Sequence, residues 1–579
     1  MTPCDSPFYL LLDFLSRRLD QSRPSGAACD AESFDSQQIF RDYAIREINL
    51  LLWFSLFAVT ALLLGKLLKL FKLWSYGRLI PGPPCPSFYG HTVLFTGADT
   101  QEGLTELLVK SHERYGSVVK LWLSPTQLLV SMKDPSLINE MLSKAADKLP
   151  LTGRVYRLAF GPSSFFVSSF GKVKRARESL ATELNGKLLE KANLMTDRVL
   201  DSVMERMSDK MDKGTLDCGV FSQHMAFSIL GATLFGDAFF AWSKANVYEE
   251  LIIRIAKDAC FWASYNVPPF WKQGYWKYQH LCTKLKSLTQ DIVQQCRNNY
   301  KLLRQSGIHD GSIIRGLEAA SDITYSVGTP KLERLGLEEP IGHLNVRDEP
   351  CGNVMGLMFH GCLTTTALIG NILARLVMHP EIQDKIYSEI IMARRQSDKL
   401  NKQDISQMHL LLATVYESAR LLPAGPLLQR CSLKEDLQLK NGLSIPSGAM
   451  LVAPIQLVQM DESSWGNDAR QFNPYRFLSQ AETKSEFDKS CKTTDSERRS
   501  YALSDPLKNA AFLPFGSGIR ACVGQKFTVL GIASIFASLL ERYEIRPVPG
   551  SALDPKPVMI NCVLQLIPSP KIVFVPRTS

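Results

Sequence analysis

The hydrophobic positions of the chain fall into three kinds of run. One is continuous: Ile48 to Gly65 (INLLLWFSLFAVTALLLG) carries no charge, and Asn49 is its only strongly polar member. As a helix rising 1.5 Å per residue it would reach about 27 Å, close to the roughly 30 Å of a hydrocarbon core, which predicts a single membrane span. The second kind repeats at helical spacing and predicts amphipathic helices, notably over Leu188–Met211, Thr283–Leu303, Glu381–Arg395, Ile405–Leu422 and about Gln525–Arg542. The third is short and β-rich: Val118–Leu123 and Gln127–Ser131, joined by Ser124-Pro125-Thr126, predict a hairpin. Further strand-like runs occur at Gly442–Pro454 and Val558–Pro576. Asn353–Met378 is also mostly apolar, but it holds His360, three threonines and Arg375, and is expected to be a buried central helix rather than a second span. Residues 304–350 are polar and loop-like, and Ser479–Lys508 is charge-rich, as expected of a surface insertion. The fold class expected is mainly α with small β-sheets.

Charge orients the span. Lys66, Lys69, Lys72 and Arg78 follow it, whereas the 47 residues before it hold five arginines against eight acids, 5 − 8 = −3. The positive-inside rule then places everything after residue 66 in the cytosol. Pro81-Gly82-Pro83-Pro84-Cys85-Pro86 is a stiff, non-helical spacer. The expected division is a polar leader without an assigned role (1–47), an anchor (48–65), a basic, proline-rich linker (66–86) and a soluble body (87–579).

Composition narrows the class. With 45% apolar and 21% charged residues among 579, a largely disordered chain is excluded. A mean hydropathy of −0.04 and one candidate span exclude a multi-span protein. The net charge of +9 is spread along the chain and makes no nucleic-acid-binding stripe. The 13 cysteines are irregularly spaced, odd in number and lack any C-x-x-C, which argues against a disulfide framework or a zinc knuckle and for a reducing compartment.

One cysteine stands in a dense motif. Phe515-Gly516-Ser517-Gly518-Ile519-Arg520-Ala521-Cys522-Val523-Gly524 reads F-x-x-G-x-R-x-C-x-G and leads into a predicted helix. It resembles the haem-ligand loop of the cytochrome P450 superfamily, and the resemblance runs from about residue 75 to 578. It implies the P450 fold, with haem b (iron protoporphyrin IX) as cofactor and Cys522 as the axial thiolate that donates electron density to the iron. The position of Cys522 just before a helix N-terminus favours negative charge on sulfur. Phe515 belongs to the same loop. Gly518 and Gly524 are expected to allow a tight turn close to the porphyrin, and Arg520 to meet a haem propionate.

Other stretches match in order. Glu417-Ser418-Ala419-Arg420 is the family's E-x-x-R, and Pro474-Tyr475-Arg476-Phe477 supplies the arginine that joins it in a buried ion cluster. Arg430 matches a segment passing over the haem and is a second propionate candidate. Asp461 and Trp465 fit the same framework, although Gln459 stands where a histidine is often found.

The distal helix departs from the pattern. The family reads [A/G]-G-x-[D/E]-T-[T/S], and this chain has His360-Gly361-Cys362-Leu363-Thr364-Thr365. Gly361 is expected to leave space beside the iron and Thr364 to offer a hydroxyl for proton relay. Leu363 replaces the acid, so the usual relay is incomplete and Leu363→Asp is expected to restore it. His360, four residues before Thr364, is either a substitute proton donor or a histidine satisfied by neighbouring backbone. In a second departure, Val173 stands where the family often has tryptophan. Arg177 is then either a propionate contact or part of a basic surface face.

The resemblance implies a monooxygenase on the cytosolic face of the endoplasmic reticulum. It would take electrons from an NADPH-dependent reductase and place one oxygen atom on a lipophilic small molecule. Leu363 keeps open a reductase-independent hydroperoxide isomerase or dehydratase. A haem-binding protein without turnover is the third reading.

Overall fold

The computed structural model describes residues 36–87, 90–91, 100–145, 170–208, 214–263, 270–305, 349–395, 402–432, 435–480, 501–550, 555–560 and 563–577. Most of the leader, of the polar 304–350 stretch and of the 479–508 insertion lies outside these residues. The chain divides into two units, Met1–Phe71 and Lys72–Ser579.

Helix α1 (Ser36–Leu79) is 44 residues long and contains the whole apolar run. It continues past Gly65, so residues 66–79 of the expected linker are helical and only the proline-rich part is extended. The side chains of its apolar stretch stand exposed, with Leu51, Trp53 and Phe57 among them. Its Tyr43–Leu79 portion is long and apolar enough to cross a membrane, and no residue of its most apolar stretch is buried. Cys218–Phe235 and Gly352–Met378 also meet that criterion, but 83% and 67% of their apolar windows are buried. They are core helices, as expected for the second of them.

The second unit is mostly helical. Its longer helices are α2 (Thr100–Tyr115), α3 (Pro135–Lys144), α4 (Phe170–Asn185), α5 (Lys187–Ser208), α6 (Cys218–Phe235), α7 (Ala245–Ala263), α8 (Gln273–Gln305), α9 (Glu349–Met378), α10 (Pro380–Arg394), α11 (His409–Leu421) and α12 (Gln525–Arg542). Helices α5, α6, α9 and α12 pack together around one large apolar core in which Phe221, Phe227, Phe359 and Phe536 are fully buried. Local chemistry sets several boundaries. Asp134 caps α3 by accepting from the Ser136 and Leu137 amides, with proline at the first helical position, and Asp217 caps α6 in the same way. Helix α11 has no cap of its own at Met408. Glu389 of α10 serves instead, accepting from the Leu410 and Leu411 amides at 3.0 and 3.1 Å.

The principal sheet has four strands in the order β1 (Val118–Ser124), β2 (Gln127–Met132), β4 (Met450–Pro454), β3 (Leu427–Cys431). The first two form the expected hairpin, β2 and β4 run parallel, and β3 and β4 antiparallel. Gly82 packs so closely on Lys120 of β1 that a Cβ there would lie 2.4 Å from its carbonyl oxygen. The proline-rich segment is thus sealed along the sheet edge. The 479–508 insertion is clasped at its base, where Leu478–Gln480 pairs antiparallel with Tyr501–Leu503.

Candidate functional site

The cysteine loop hangs between the C-terminus of α3 and the start of α12. Gly516 and Gly518 both have positive φ, 69° and 68°. At Gly518 a Cβ would lie 2.4 Å from the Leu142 carbonyl oxygen, so both the backbone angle and the space require glycine. The close approach is therefore to the backbone of α3. Gly524 differs: its φ is −95°, and a Cβ there would meet its neighbours only at ordinary contact distances. The turn does not require a glycine at that position. The loop closes on itself as the Cys522 amide donates to the Phe515 carbonyl at 2.8 Å and the Ala521 amide to the Gly518 carbonyl at 3.1 Å. Helix α12 begins three residues after Cys522, as expected from the sequence.

Cys522 is an exposed cysteine, whereas Cys218, Cys282, Cys296, Cys362 and Cys431 are buried. Burial pushes the Cys282 and Cys296 thiols up to about 12, and those of Cys218 and Cys362 upward as well, so these remain protonated.

Three arginines converge beside this loop. Arg430, on β3, and Arg520, in the loop, are both buried. Arg177, on α4, reaches across to donate to the Ala521 carbonyl at 2.5 Å. That geometry turns the half-buried Arg177 toward the loop. Desolvation lowers its pKa while Cys522 opposes the shift. Burial, followed by the charges of Arg520 and Arg177, depresses Arg430 to about 10. Its Nη1 donates to the Gln429 carbonyl at 2.8 Å, and its buried Nε meets no partner. Packed like charges with an orphaned donor fit a group carrying two negative charges next to a thiolate ligand. The donor set suits a haem with its propionates.

A second charged group is built around Glu417. Glu417 and Arg420 are completely buried and joined by two hydrogen bonds of 2.7 and 2.8 Å. Arg420 also donates to the carbonyls of Gln459, Ala469 and Gln471 and lies over the Trp465 ring, 5.0 Å from its centroid. Arg476 donates to Glu417 at 3.1 Å and to Asp468 at 2.9 Å. The sequence motif named Glu417, Arg420 and Arg476. It missed Asp468 and the row of carbonyls, which carry no residue-type signal.

On α9 the Thr364 side chain is exposed although its neighbours Leu363 and Thr365 are buried. Its hydroxyl donates to the His360 carbonyl at 2.7 Å, leaving oxygen lone pairs to accept another proton donor. The His360 ring stands edge-on to Phe359 at 5.7 Å. Two expectations change here. The space left by Gly361 is filled by Leu230 of α6, whose Cδ1 would lie 2.8 Å from an added Cβ, so this glycine serves a helix–helix contact. Leu363 is 3% exposed within the main core, so an aspartate there would enter apolar packing and not the space beside Thr364. The Val173 side chain lies outside the described residues.

Against this geometry, the cytochrome P450 family profile matches residues 80–574. The chain belongs to the cytochrome P450 family. It is 25% identical over 536 residues to cytochrome P450 4d1 of Drosophila melanogaster, covering 87% of this chain and 95% of the relative. It is 24% identical over 467 residues to cytochrome P450 72A397 of Kalopanax septemlobus, covering 77% and 79%. An 11-oxo-beta-amyrin 30-oxidase of Glycyrrhiza uralensis is 31% identical over 350 residues, 59% of each chain. Membership implies a haem cofactor with thiolate ligation and oxidoreductase chemistry of the monooxygenase type.

Proposed function

We propose that this protein is a monooxygenase of the endoplasmic reticulum membrane, anchored by a single span with its catalytic body in the cytosol. It takes electrons from an NADPH-dependent reductase and oxidises a lipophilic small molecule. The observation that carries the reading is the exposed Cys522 in a glycine-built turn beside Arg177, Arg430 and Arg520, whose like charges depress the Arg430 pKa. The span supports a substrate that partitions into the bilayer, and the named oxidase among the relatives agrees with a terpenoid-like substrate.

In this reading Cys522 holds haem b, which supplies the oxygen-activating redox chemistry when bound. Arg430 and Arg520 hold the propionates, and Arg177 fixes the carbonyl next to the ligand. Phe515 accepts the Cys522 amide through its carbonyl and sets the direction of the thiolate. Thr364 holds a proton at its hydroxyl oxygen, and His360 feeds it from one turn away. With no acid beside Thr364, proton delivery is slow. Reductase-driven NADPH use is therefore expected to exceed product, with hydrogen peroxide accounting for the difference. His360→Ala and Thr364→Ala should each widen that gap without changing the ferrous–CO spectrum.

The direct test is that spectrum. Cys522→Ala should lose the thiolate-type ferrous–CO band, and each other cysteine variant should keep it. A retained band in Cys522→Ala overturns the assignment. The apolar, buried Leu363 favours one second reading, a hydroperoxide isomerase or dehydratase. Turnover of a hydroperoxide without reductase or NADPH would select it.

A further inference from the structure

A pocket of about 240 Å³ lies where the end of α1 meets the β1–β2 hairpin, away from the cysteine loop. Trp74 and Trp122 line it together, their rings in contact with centroids 5.7 Å apart and planes tilted by 50°. Pro125 closes one side, and Arg78 stands at the rim. The walls are fixed. Trp74 Nε1 donates to the Pro125 carbonyl at 2.7 Å. Gly77 makes room for Trp122, whose ring would lie 2.8 Å from a Cβ at that position. The volume holds about eight water-sized units of about 30 Å³, which suits a segment of one acyl chain and not a large rigid solute.

The rim is cationic. Lys120 Nζ donates to the Gly77 and Arg78 carbonyls at 2.8 and 3.2 Å, bringing a second positive charge to the end of the helix. The two charges feel each other, since Arg78 lowers the Lys120 pKa after desolvation does. Among the described residues neither forms an ion pair with a carboxylate. Trp74 and Arg78 follow the last residue of the apolar run by nine and thirteen positions on the same helix. Tryptophan and basic residues in that relation to a span meet lipid headgroups.

We propose that this pocket binds an anionic phospholipid of the host bilayer, one acyl chain lying in the pocket against the Trp74 and Trp122 rings and the phosphate meeting Arg78. The inference rests on reading α1 as a membrane anchor. The full chain, haem-loaded and purified in nonionic detergent, is incubated with dioleoyl phosphatidylglycerol or dioleoyl phosphatidylcholine, and retained lipid is counted by native mass spectrometry. One phosphatidylglycerol per chain is expected in preference to phosphatidylcholine, with no displacement by inorganic phosphate. Arg78→Gln should weaken retention about fivefold, the effect of about 1 kcal/mol from one basic residue near a lipid surface. Ser124→Phe, which fills the pocket without touching the rim charges, should do the same. Both variants should keep the ferrous–CO band. Equal retention of the two lipids, or a loss with Lys66→Gln/Lys69→Gln as large as with Arg78→Gln, would overturn the proposal in favour of general attraction to the basic flank. Displacement by inorganic phosphate would overturn it in favour of a simple anion site. Failure of the anchor reading would appear separately, as full-length protein in the soluble cell fraction.

Discussion

The two clusters of buried charge, around Glu417 and around Arg430, are built on opposite principles. Around Glu417 every charge is answered: two arginines share the carboxylate, and their remaining donors reach backbone carbonyls and Asp468. Around Arg430 the charges are alike and push against one another. The first cluster is complete within the chain and can only hold shape. In the second, the buried Arg430 Nε meets no partner among the described residues, which fits the propionate role proposed for it. Burial and residue type are similar in both; what separates them is the sign of the nearest charge, opposite around Glu417 and alike around Arg430.

The largest expected effect comes from breaking the complete cluster. Arg420→Ala strands Glu417 without its bidentate partner and should cost about 3–5 kcal/mol, a large part of a typical stability of about 5–15 kcal/mol. Little soluble, haem-loaded protein should be recovered, and normal haem content with lost turnover would contradict the scaffold role. Next comes the turn of the cysteine loop. Gly518→Ala forces both an unfavourable φ and a clash with the Leu142 carbonyl and should cost about 2 kcal/mol or more, whereas Gly524→Ala should cost well under that in denaturant unfolding.

The cluster around Arg430 should respond with the opposite sign. Arg430→Met removes one of three repelling charges, so the haem-free protein should be unchanged or stabilised by about 1 kcal/mol. The same variant should release haem faster to an apo-globin acceptor. A fall in both apo stability and haem retention would place Arg430 in the scaffold.

The smallest effect comes from a buried group that is polar but meant to stay neutral. His112 on α2 lies 2.8 Å from both the Gly116 carbonyl and the Ser131 hydroxyl. Desolvation, aided by Lys133, lowers its pKa. Above the unfolded value of about 6.5 neither state is protonated and the contribution is intact. As pH falls below that value the unfolded chain takes up the proton first, so stability declines toward the lower folded pKa. Denaturant midpoints at neutral and mildly acidic pH should show this decline, and His112→Gln should flatten it.

The sequence revealed what is periodic or motif-like and concealed what depends on packing. Helix α12 was legible from end to end because its apolar spacing runs uninterrupted from the cysteine loop to Arg542. The single helix expected over Ile405–Leu422 is two, Lys402–Gln407 and His409–Leu421, because α11 takes its N-terminal cap from Glu389 on another helix. Cys522, Arg520 and Arg430 could be named in advance, but the repulsion that Arg520 and Arg177 exert on Arg430 could not, since it depends on which side chains the fold brings together. Gly361 and Leu363 were read against a haem, while their immediate neighbours are Leu230 and the core. Nothing in a linear pattern reports which side of a fully apolar helix faces which neighbour.

The clasp at the base of the 479–508 insertion has a practical consequence. Leu478 and Leu503 are paired, and the Ser504 amide donates to the Phe477 carbonyl at 2.8 Å, so Gln480 and Tyr501, on either side of 481–500, stand opposite each other. A closed loop of this kind costs only about 0.6 kcal/mol for each doubling of its length. Residues 481–500 are therefore the natural place to graft an epitope or a fluorescent reporter into this enzyme while both chain termini remain untouched.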